Sequence, residues 1–308
     1  MLNKKYIIPY KNPDLDGTAC AFGYAEYLNK IGIESQAIIY GHMHREAKFV
    51  FDKFKIEDIA RGEEVNITDK DIVVVDASDI RGLSEVIKPE QVVEIIDHRK
   101  VHEANTFPNA KVQIELVGSV ATLVAEKYFK NNVKISKSSS ALLLFAIVSN
   151  TINFQSNITT ERDVKIAKWL KTKFAFDNKH IKQIFIFKSQ FTKPLKETID
   201  DDFATFDFNN NKIGVAQLEI VDVDKFIKKN VSSINKVLEE LKKEKSLDYV
   251  FMSFIDVEKA FNRYVVLDDE MQLMLEKILK IKFTNHLARR ENIMMRKETI
   301  PLLKDYFN

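Results

Sequence analysis

The sequence predicts a two-domain protein: a doubly wound, mainly parallel α/β domain followed by a smaller α+β domain. Three observations carry this. Over roughly the first 150 residues short apolar runs alternate with helical patterns, the arrangement that builds a parallel sheet. Beyond Lys196 the order changes to a hairpin, a long helix and further strands. A length of 308 residues suits domains of about 100–200 residues each. The expected boundaries are 1–188 for the first domain, a linker over 189–195 that contains Pro194, and 196–308 for the second.

In chain order, Tyr6–Pro9 reads as the first strand and Lys11–Gly17 as a polar loop. From Thr18 to Lys30, Ala21, Tyr24, Ala25 and Leu28 recur at helical spacing. Ser35–Tyr40 is a second strand and Lys48–Phe54 part of a helix. Asp71–Val75 is a buried strand ending at Asp76, and Gln91–Ile96 is another ending at Asp97-His98. Each is expected to continue through a loop into a helix. Open α/β sheets bind ligands beyond the carboxyl ends of their strands, so these acidic ends are the first places to look. Helices are expected at Gly118–Phe129, Ser138–Val148, Thr160–Leu170 and His180–Phe187, with Thr159 or Thr160 as a cap for the third. The polar Lys188–Lys196 reads as linker. Phe203–Phe208 and Lys212–Leu218 flank an Asn209–Asn211 turn as a hairpin. A helix near Asp222–Lys243, strands near Asp248–Ile255 and Arg263–Leu267, and a helix over Asp269–Lys280 complete the second domain.

Composition excludes several classes. Eight glycines and six prolines are too few for a collagen-like or low-complexity chain. A formal net charge of +2, with the charges interspersed, implies no polyanion-binding surface, though it leaves room for a local basic pocket, and nucleic acid is not an expected partner. The single Cys20 rules out a disulfide framework or a thiolate zinc site within one chain. The longest apolar run, Ala141–Val148, is far short of the roughly 20 residues that cross a bilayer. Residues 1–12, MLNKKYIIPYKN, do not read as a signal peptide. The expectation is a soluble, cytoplasmic protein without a membrane partner.

Asp14 and Asp16 stand two residues apart on the first loop, so in extended backbone they share a side. Two carboxylates held close repel unless a proton or cation sits between them. A Pro-containing turn with solvated acids is the other reading of this motif, and Asp76 could equally cap the next turn. Asp97-His98 is sharper, because a strand-end carboxylate beside an imidazole suits an oxygen-rich divalent site with one nitrogen ligand.

Taken together, Asn12-Pro13-Asp14-Leu15-Asp16, Asp76, Asp97-His98 and Gly118-Ser119-Val120-Ala121-Thr122 resemble, in order and spacing, the four motifs of the DHH phosphoesterase superfamily. The branch they resemble is the manganese-dependent family II inorganic pyrophosphatases, with similarity also to exopolyphosphatase and prune-type relatives. The likeness continues through Leu142–Leu170, Lys212–Glu219 and Arg296-Lys297, and so covers almost the whole chain. Its C-terminal half resembles the second DHH-associated domain. The branch that cleaves short oligonucleotides and cyclic dinucleotides carries a diglycine motif. This chain has no Gly-Gly and no glycine after Gly214.

The resemblance implies a two-metal site in a cleft between the domains. Two divalent ions about 3.5–4 Å apart clamp a phosphoryl group and generate a nucleophilic water. Asp76 would be shared by both ions, Asp14 would serve one, and Asp16 with His98 the other. Asp97 would orient the loop or the imidazole. Arg296 and Lys297 would grip the substrate phosphates, with Arg99 able to join them. Asp76, Asp97 and Arg99 form the expected catalytic set. The implied reaction is hydrolysis of a phosphoanhydride, pyrophosphate or short polyphosphate, with Mn²⁺ as the ion and Co²⁺ or Mg²⁺ as alternatives. A homodimer is expected by the same analogy.

The chain also departs from that pattern. Tyr10 stands where the pyrophosphatases have a metal-binding His, and Arg99 replaces the second His of the name motif. Asn150 stands where a ligand Asp is expected; its amide oxygen can hold a hard cation but brings no charge. Ala204 lies where a substrate-binding Lys is expected, and Met295 replaces a Ser before the basic pair. These changes leave a second reading open: a pseudoenzyme that binds a phosphate ligand or a protein partner. Elsewhere, His42 and His44 read as a solvated loop and His102 as a surface residue. Arg289 and Arg290 read as an exposed helix face, and Trp169, Leu170 and Phe174 as core. His180 and His286 receive no role.

Overall fold

The computed structural model describes residues 4–100 and 102–307. They divide into two compact units. One comprises the described residues through Phe154 together with Ile158–Ile184; the other comprises Gln155–Asn157 and the described residues from Phe185 onward.

The first unit runs β1 (Lys5–Ile8), α1 (Leu15–Lys30), β2 (Ser35–Ile39), α2 (Arg45–Phe54), β3 (Ala60–Arg61), β4 (Asp71–Val75), β5 (Val92–Asp97) and β6 (Lys111–Ile114), then α3 (Val120–Lys130), α4 (Lys137–Asn150) and α5 (Glu161–Lys171). Helix α6 (Asn178–Lys188) crosses the division. The strands form one parallel sheet in the order β3-β2-β1-β4-β5-β6. Ile7, Ile8, Val73, Val74, Val75, Ile95 and Ile96 are fully buried, as expected of parallel strands covered on both faces. Helix α4 carries the Ala141–Val148 run, and its burial all round explains why that run lacks a polar face. From β1 the chain passes through α1 to β2 on one side, and from β3 it returns to β4 on the other. The strand order therefore reverses between β1 and β4, whose carboxyl ends open the crevice where such sheets bind ligands.

Two sequence expectations are corrected here. The connections after β4 and β5 hold no α-helix, only short 3-10 turns at Ile80–Gly82, Pro89–Gln91 and Ala104–Thr106. Gly82, Pro89 and Pro108 interrupt both segments, and neither carries an apolar repeat long enough for a helix to bury. The short β3 and β6 escaped the sequence reading because two to four residues give too little alternation to register. Trp169 and Phe174 are half-buried rather than core, with Trp169 edge-on to Phe129 at 5.5 Å.

The second unit contains α7 (Leu195–Asp201), β7 (Phe203–Phe208), β8 (Asn211–Ile220), α8 (Val223–Glu244), β9 (Tyr249–Asp256), β10 (Phe261–Val266), α9 (Asp269–Leu279), β11 (Phe283–Thr284), β12 (Leu287–Glu291) and α10 (Arg296–Phe307). Its sheet order is β11-β12-β10-β9-β8-β7. Only β8 and β9 pair in parallel, joined through α8; the other pairs are antiparallel. Alternation along β9 makes the two cores. Val250, Met252 and Phe254 pack with Ile227, Ile234 and Leu238 of α8, while Phe251 packs with Met271 and Leu275 of α9 and Leu303 of α10. Arg289 and Arg290 lie on strand β12, opposite Arg263 and Asn262 of β10, not on a helix face. Helix α10 forms despite Pro301, which removes one backbone donor inside it, because Leu303 is fully buried on the sheet. No helix among the described residues is long and apolar enough to cross a membrane.

Candidate metal centre

The loop after β1 delivers two aspartates to two different jobs. Asp14 caps α1: its Oδ1 accepts from the Gly17 N–H at 3.0 Å, and its carbonyl accepts from Thr18 Oγ1 at 2.6 Å. Asp16, in the first turn of α1, is buried and aimed at the start of α3. Its Oδ1 accepts from Ser119 Oγ and the Ala121 N–H, and its Oδ2 from the Val120 N–H, each at 2.9 Å. A carboxylate against a helix N-terminus is electrostatically favoured. Burial nevertheless dominates and raises the Asp16 pKa to about 6, helped by Asp14 and opposed by His98, Ala121 and Ser119. The Gly118–Thr122 motif thus acts as a donor set for Asp16.

Asp76 ends β4 in the left-handed region, at φ +57, and is 5% exposed. Its backbone is fixed by the Ile96 carbonyl at 2.9 Å and by Arg99 Nη2 at 3.0 Å. No protein donor among the described residues hydrogen-bonds its carboxylate; His98 Nε2 faces it, 3.8 Å from Oδ1. Burial raises its pKa well above the usual carboxylate range, and Asp16, Asp14 and Asp97 add to this. Gly17 keeps α1 close to it: a Cβ there would lie 3.0 Å from Pro9 Cβ and 3.4 Å from Asp76 Oδ2.

His98 Nδ1 lies 2.9 Å from the Val117 carbonyl. A carbonyl only accepts, so Nδ1 carries a proton, and in the neutral ring it is Nε2, the nitrogen facing Asp76, that is left to ligate. Asp97 is wholly buried and accepts from Ser78 Oγ and from the His98 N–H at 2.7 Å. It braces the turn that aims the imidazole and does not itself join the cluster. One ligand atom each of Asp16, Asp76 and His98 lies within 4.8 Å of the others.

These residues fit a divalent cation. A buried carboxylate without donors, a second carboxylate and an imidazole in its ligating tautomer are what such an ion requires. Asp14 stands outside this set, though its charge acts on both Asp16 and Asp76. Asn150, at the end of α4, turns its Nδ2 to Asp16 Oδ2 at 2.6 Å, donating rather than offering its oxygen.

Arg99 spends its donors inside the protein. Nη1 meets Asp79 at 3.1 Å, Nη2 the Asp76 carbonyl, and Nε stands 3.8 Å from Asp97. Its guanidinium lies 5.8 Å from the centre of the Tyr10 ring, whose hydroxyl accepts from the Asp14 N–H at 3.0 Å.

Asp163 was missed by the sequence reading. It is wholly buried, completes the capping box of α5 with Thr160, and accepts from the Gly118 N–H at 2.9 Å and Thr122 Oγ1 at 2.6 Å. It therefore anchors the loop that donates to Asp16. A cap serine or threonine followed three residues later by an acid was the available signal. Gly118 is required there, because a Cβ would meet Thr151 Cγ2 at 2.5 Å.

In the second unit, Arg296 Nη1 donates to the Asp202 carbonyl at 2.6 Å and Nη2 to Asp202 Oδ1 at 2.7 Å, while its N–H reaches Gln217 Oε1. Lys297 is exposed and makes no hydrogen bond or ion pair among the described residues. Ala204 sits in β7 opposite Val215, and no basic side chain replaces the expected Lys there. His42, His44 and His102 are exposed. His180 is packed among Phe54, Phe145 and Phe176, and His286 meets Asp269 at 3.0 Å.

The N-terminal domain model of the DHH family matches residues 4–147, and the DHHA2 domain model matches residues 182–306. The chain is 30% identical over 317 residues to a manganese-dependent inorganic pyrophosphatase of Methanocaldococcus jannaschii, with 99% of each covered. It is 27% identical over 307 residues to the manganese-dependent inorganic pyrophosphatase of Bacillus subtilis, again with 99% of each covered. A crystal structure from Methanococcus jannaschii assigned to family II inorganic pyrophosphatases superposes with a TM-score of 0.71 at 30% identity over 99% of both chains. None of these relatives lends support to the pseudoenzyme alternative. With both domain models matched and full-length relatives at this identity, the chain belongs to the DHH family, on the branch of the manganese-dependent, family II inorganic pyrophosphatases.

Proposed function

We propose that this chain is a Mn²⁺-dependent hydrolase of phosphoanhydrides, acting on inorganic pyrophosphate or short polyphosphate. The observation that carries the reading is the buried Asp76 carboxylate, without a hydrogen-bond donor among the described residues and faced by His98 Nε2, whose other ring nitrogen is bonded to the Val117 carbonyl. Asp16, Asp76 and His98 would hold the ion, with Asp14 and Asn150 beside them. One imidazole among carboxylates favours Mn²⁺ over Mg²⁺. When bound, such an ion lowers the pKa of a water and polarises a phosphoryl oxygen.

The chain's own residues do the rest. Val117 holds the imidazole in its ligating tautomer, and Asp97 fixes the turn that aims it. Ser119, Val120 and Ala121 hold the Asp16 carboxylate in place, and Asp163 holds that loop. Lys297, which makes no hydrogen bond or ion pair among the described residues, is the cation best able to take a phosphate. Arg296 already shares its guanidinium with Asp202, so a phosphate would bind it in competition with that carboxylate. Arg99 is permanently protonated and bonded to Asp79 and the Asp76 carbonyl, and its part is to hold the Asp76 turn rather than to move a proton. The cytoplasmic location and the homodimer expected from sequence belong to this same proposal.

Phosphate release from pyrophosphate and tripolyphosphate, with Mn²⁺, Co²⁺ or Mg²⁺, tests it beside an Asp76→Asn control. Metal-dependent release that vanishes in the control is the expected result. A folded chain that releases no phosphate with any of the three ions would overturn the hydrolase reading.

A further inference from the structure

We infer that this chain binds a single divalent ion, at Asp16, Asp76 and His98, and that Tyr10 and Arg99 exclude a second. The inference rests on the metal reading of that cluster. A second ion beside the first would have to share Asp76 and complete its shell from the groups around it, Asp14, Tyr10 and Arg99. Asp14 lies outside the convergent set and has one oxygen committed to the Gly17 N–H. Tyr10 offers a phenol, neutral at neutral pH and a poor ligand for a hard cation, and its oxygen already accepts from the Asp14 N–H.

Arg99 has no lone pair to offer and cannot deprotonate. Its guanidinium is pinned on three edges, to Asp79, the Asp76 carbonyl and toward Asp97, with the Tyr10 ring beside it. Asp79 balances one edge, and the others place a fixed positive charge against Asp76 and Asp97. Paired divalent ions sit only about 3.5–4 Å apart and depend on anionic ligands to offset their repulsion. Here one such ligand position is a neutral phenol, and a cation stands next to the carboxylate that would have to bridge. The same pair also stiffens the site, since Arg99 clamps the left-handed Asp76 turn. The first ion therefore keeps its three ligands, while the second would have only the shared Asp76 and one oxygen of Asp14, beside a fixed cation.

The test is to dialyse the full chain against micromolar Mn²⁺, count bound ions by elemental analysis, and record the electron paramagnetic resonance spectrum. One Mn²⁺ per chain with the hyperfine-resolved spectrum of an isolated ion is expected. Two per chain, or the spectrum of an exchange-coupled pair, would overturn this inference and leave the metal reading intact. No bound Mn²⁺ would overturn both. The double variant Tyr10→His, Arg99→His is expected to take up a second ion and to show the coupled spectrum. A folded double variant that still binds one would refute the assignment of the exclusion to these two side chains.

Discussion

Replacing Asp76 by Asn should stabilise the metal-free protein and abolish its stabilisation by Mn²⁺. The substitution keeps shape, and Asn tolerates the left-handed backbone at φ +57 that Ala would adopt only with strain. No hydrogen bond to the carboxylate from the described residues is lost, since His98 Nε2 stands 3.8 Å away. What is removed is a negative charge whose ligating oxygen lies within 4.8 Å of that of Asp16. At an effective dielectric of about 20, like charges at that separation repel by about 3.5 kcal/mol. The wild-type cluster relieves part of this by holding a proton, so the gain at pH 7.5 should be about 1–3 kcal/mol. For a unit of this size that raises the melting temperature by about 2–4 °C per kcal/mol. Wild-type protein should gain about 2.7 kcal/mol when Mn²⁺ is a hundredfold above its Kd, and the variant nothing measurable. Thermal melts of both proteins with and without Mn²⁺ read all four values. A metal-free variant less stable than wild type, or one that Mn²⁺ still stabilises fully, would refute the reasoning.

The buried acids also set a pH dependence. Asp16 in the fold titrates near pH 6, above an unfolded carboxylate, so the folded state holds a proton that the unfolded chain has already lost. The Asp16 contribution to the stability of the metal-free protein is therefore full below about pH 4 and falls by up to about 3 kcal/mol as pH rises through 6; urea melts of wild type against Asp16→Asn across that range should show the decline in wild type only, and saturating Mn²⁺ should abolish it. Asn150→Asp adds a carboxylate 2.6 Å from Asp16 Oδ2. It should lower metal-free stability by about 1–3 kcal/mol and raise Mn²⁺ affinity by about tenfold, and calorimetric titration showing unchanged affinity would remove Asn150 from the ion's surroundings.

Much of this was legible in the residues. Val-rich runs that stop at Asp76 and at Asp97-His98 announce parallel strands with acids at their carboxyl ends. The spacing of those acids from Asp14, Asp16 and Gly118–Thr122 carries the family. Local chemistry misled where context decides. Pro301 lies inside α10, where the buried Leu303 outweighs one lost backbone bond. Arg289 and Arg290 suit an exposed helix as well as a strand until pairing with β10 is known.

The sequence by itself determined the fold class and the set of chemically competent side chains, because periodicity and motif spacing are local properties of the chain. Only the tertiary structure divided the labour among them. Asp14 and Asp16 are two residues apart, yet one caps its own helix and the other accepts from a loop more than 100 residues away. Arg99 became a brace for Asp76, Asn150 a donor to Asp16, Arg296 a partner of Asp202, and Asp163 the anchor of the Gly118–Thr122 loop. Burial and hydrogen-bond partners assign those roles, and both depend on which distant segments the fold brings together.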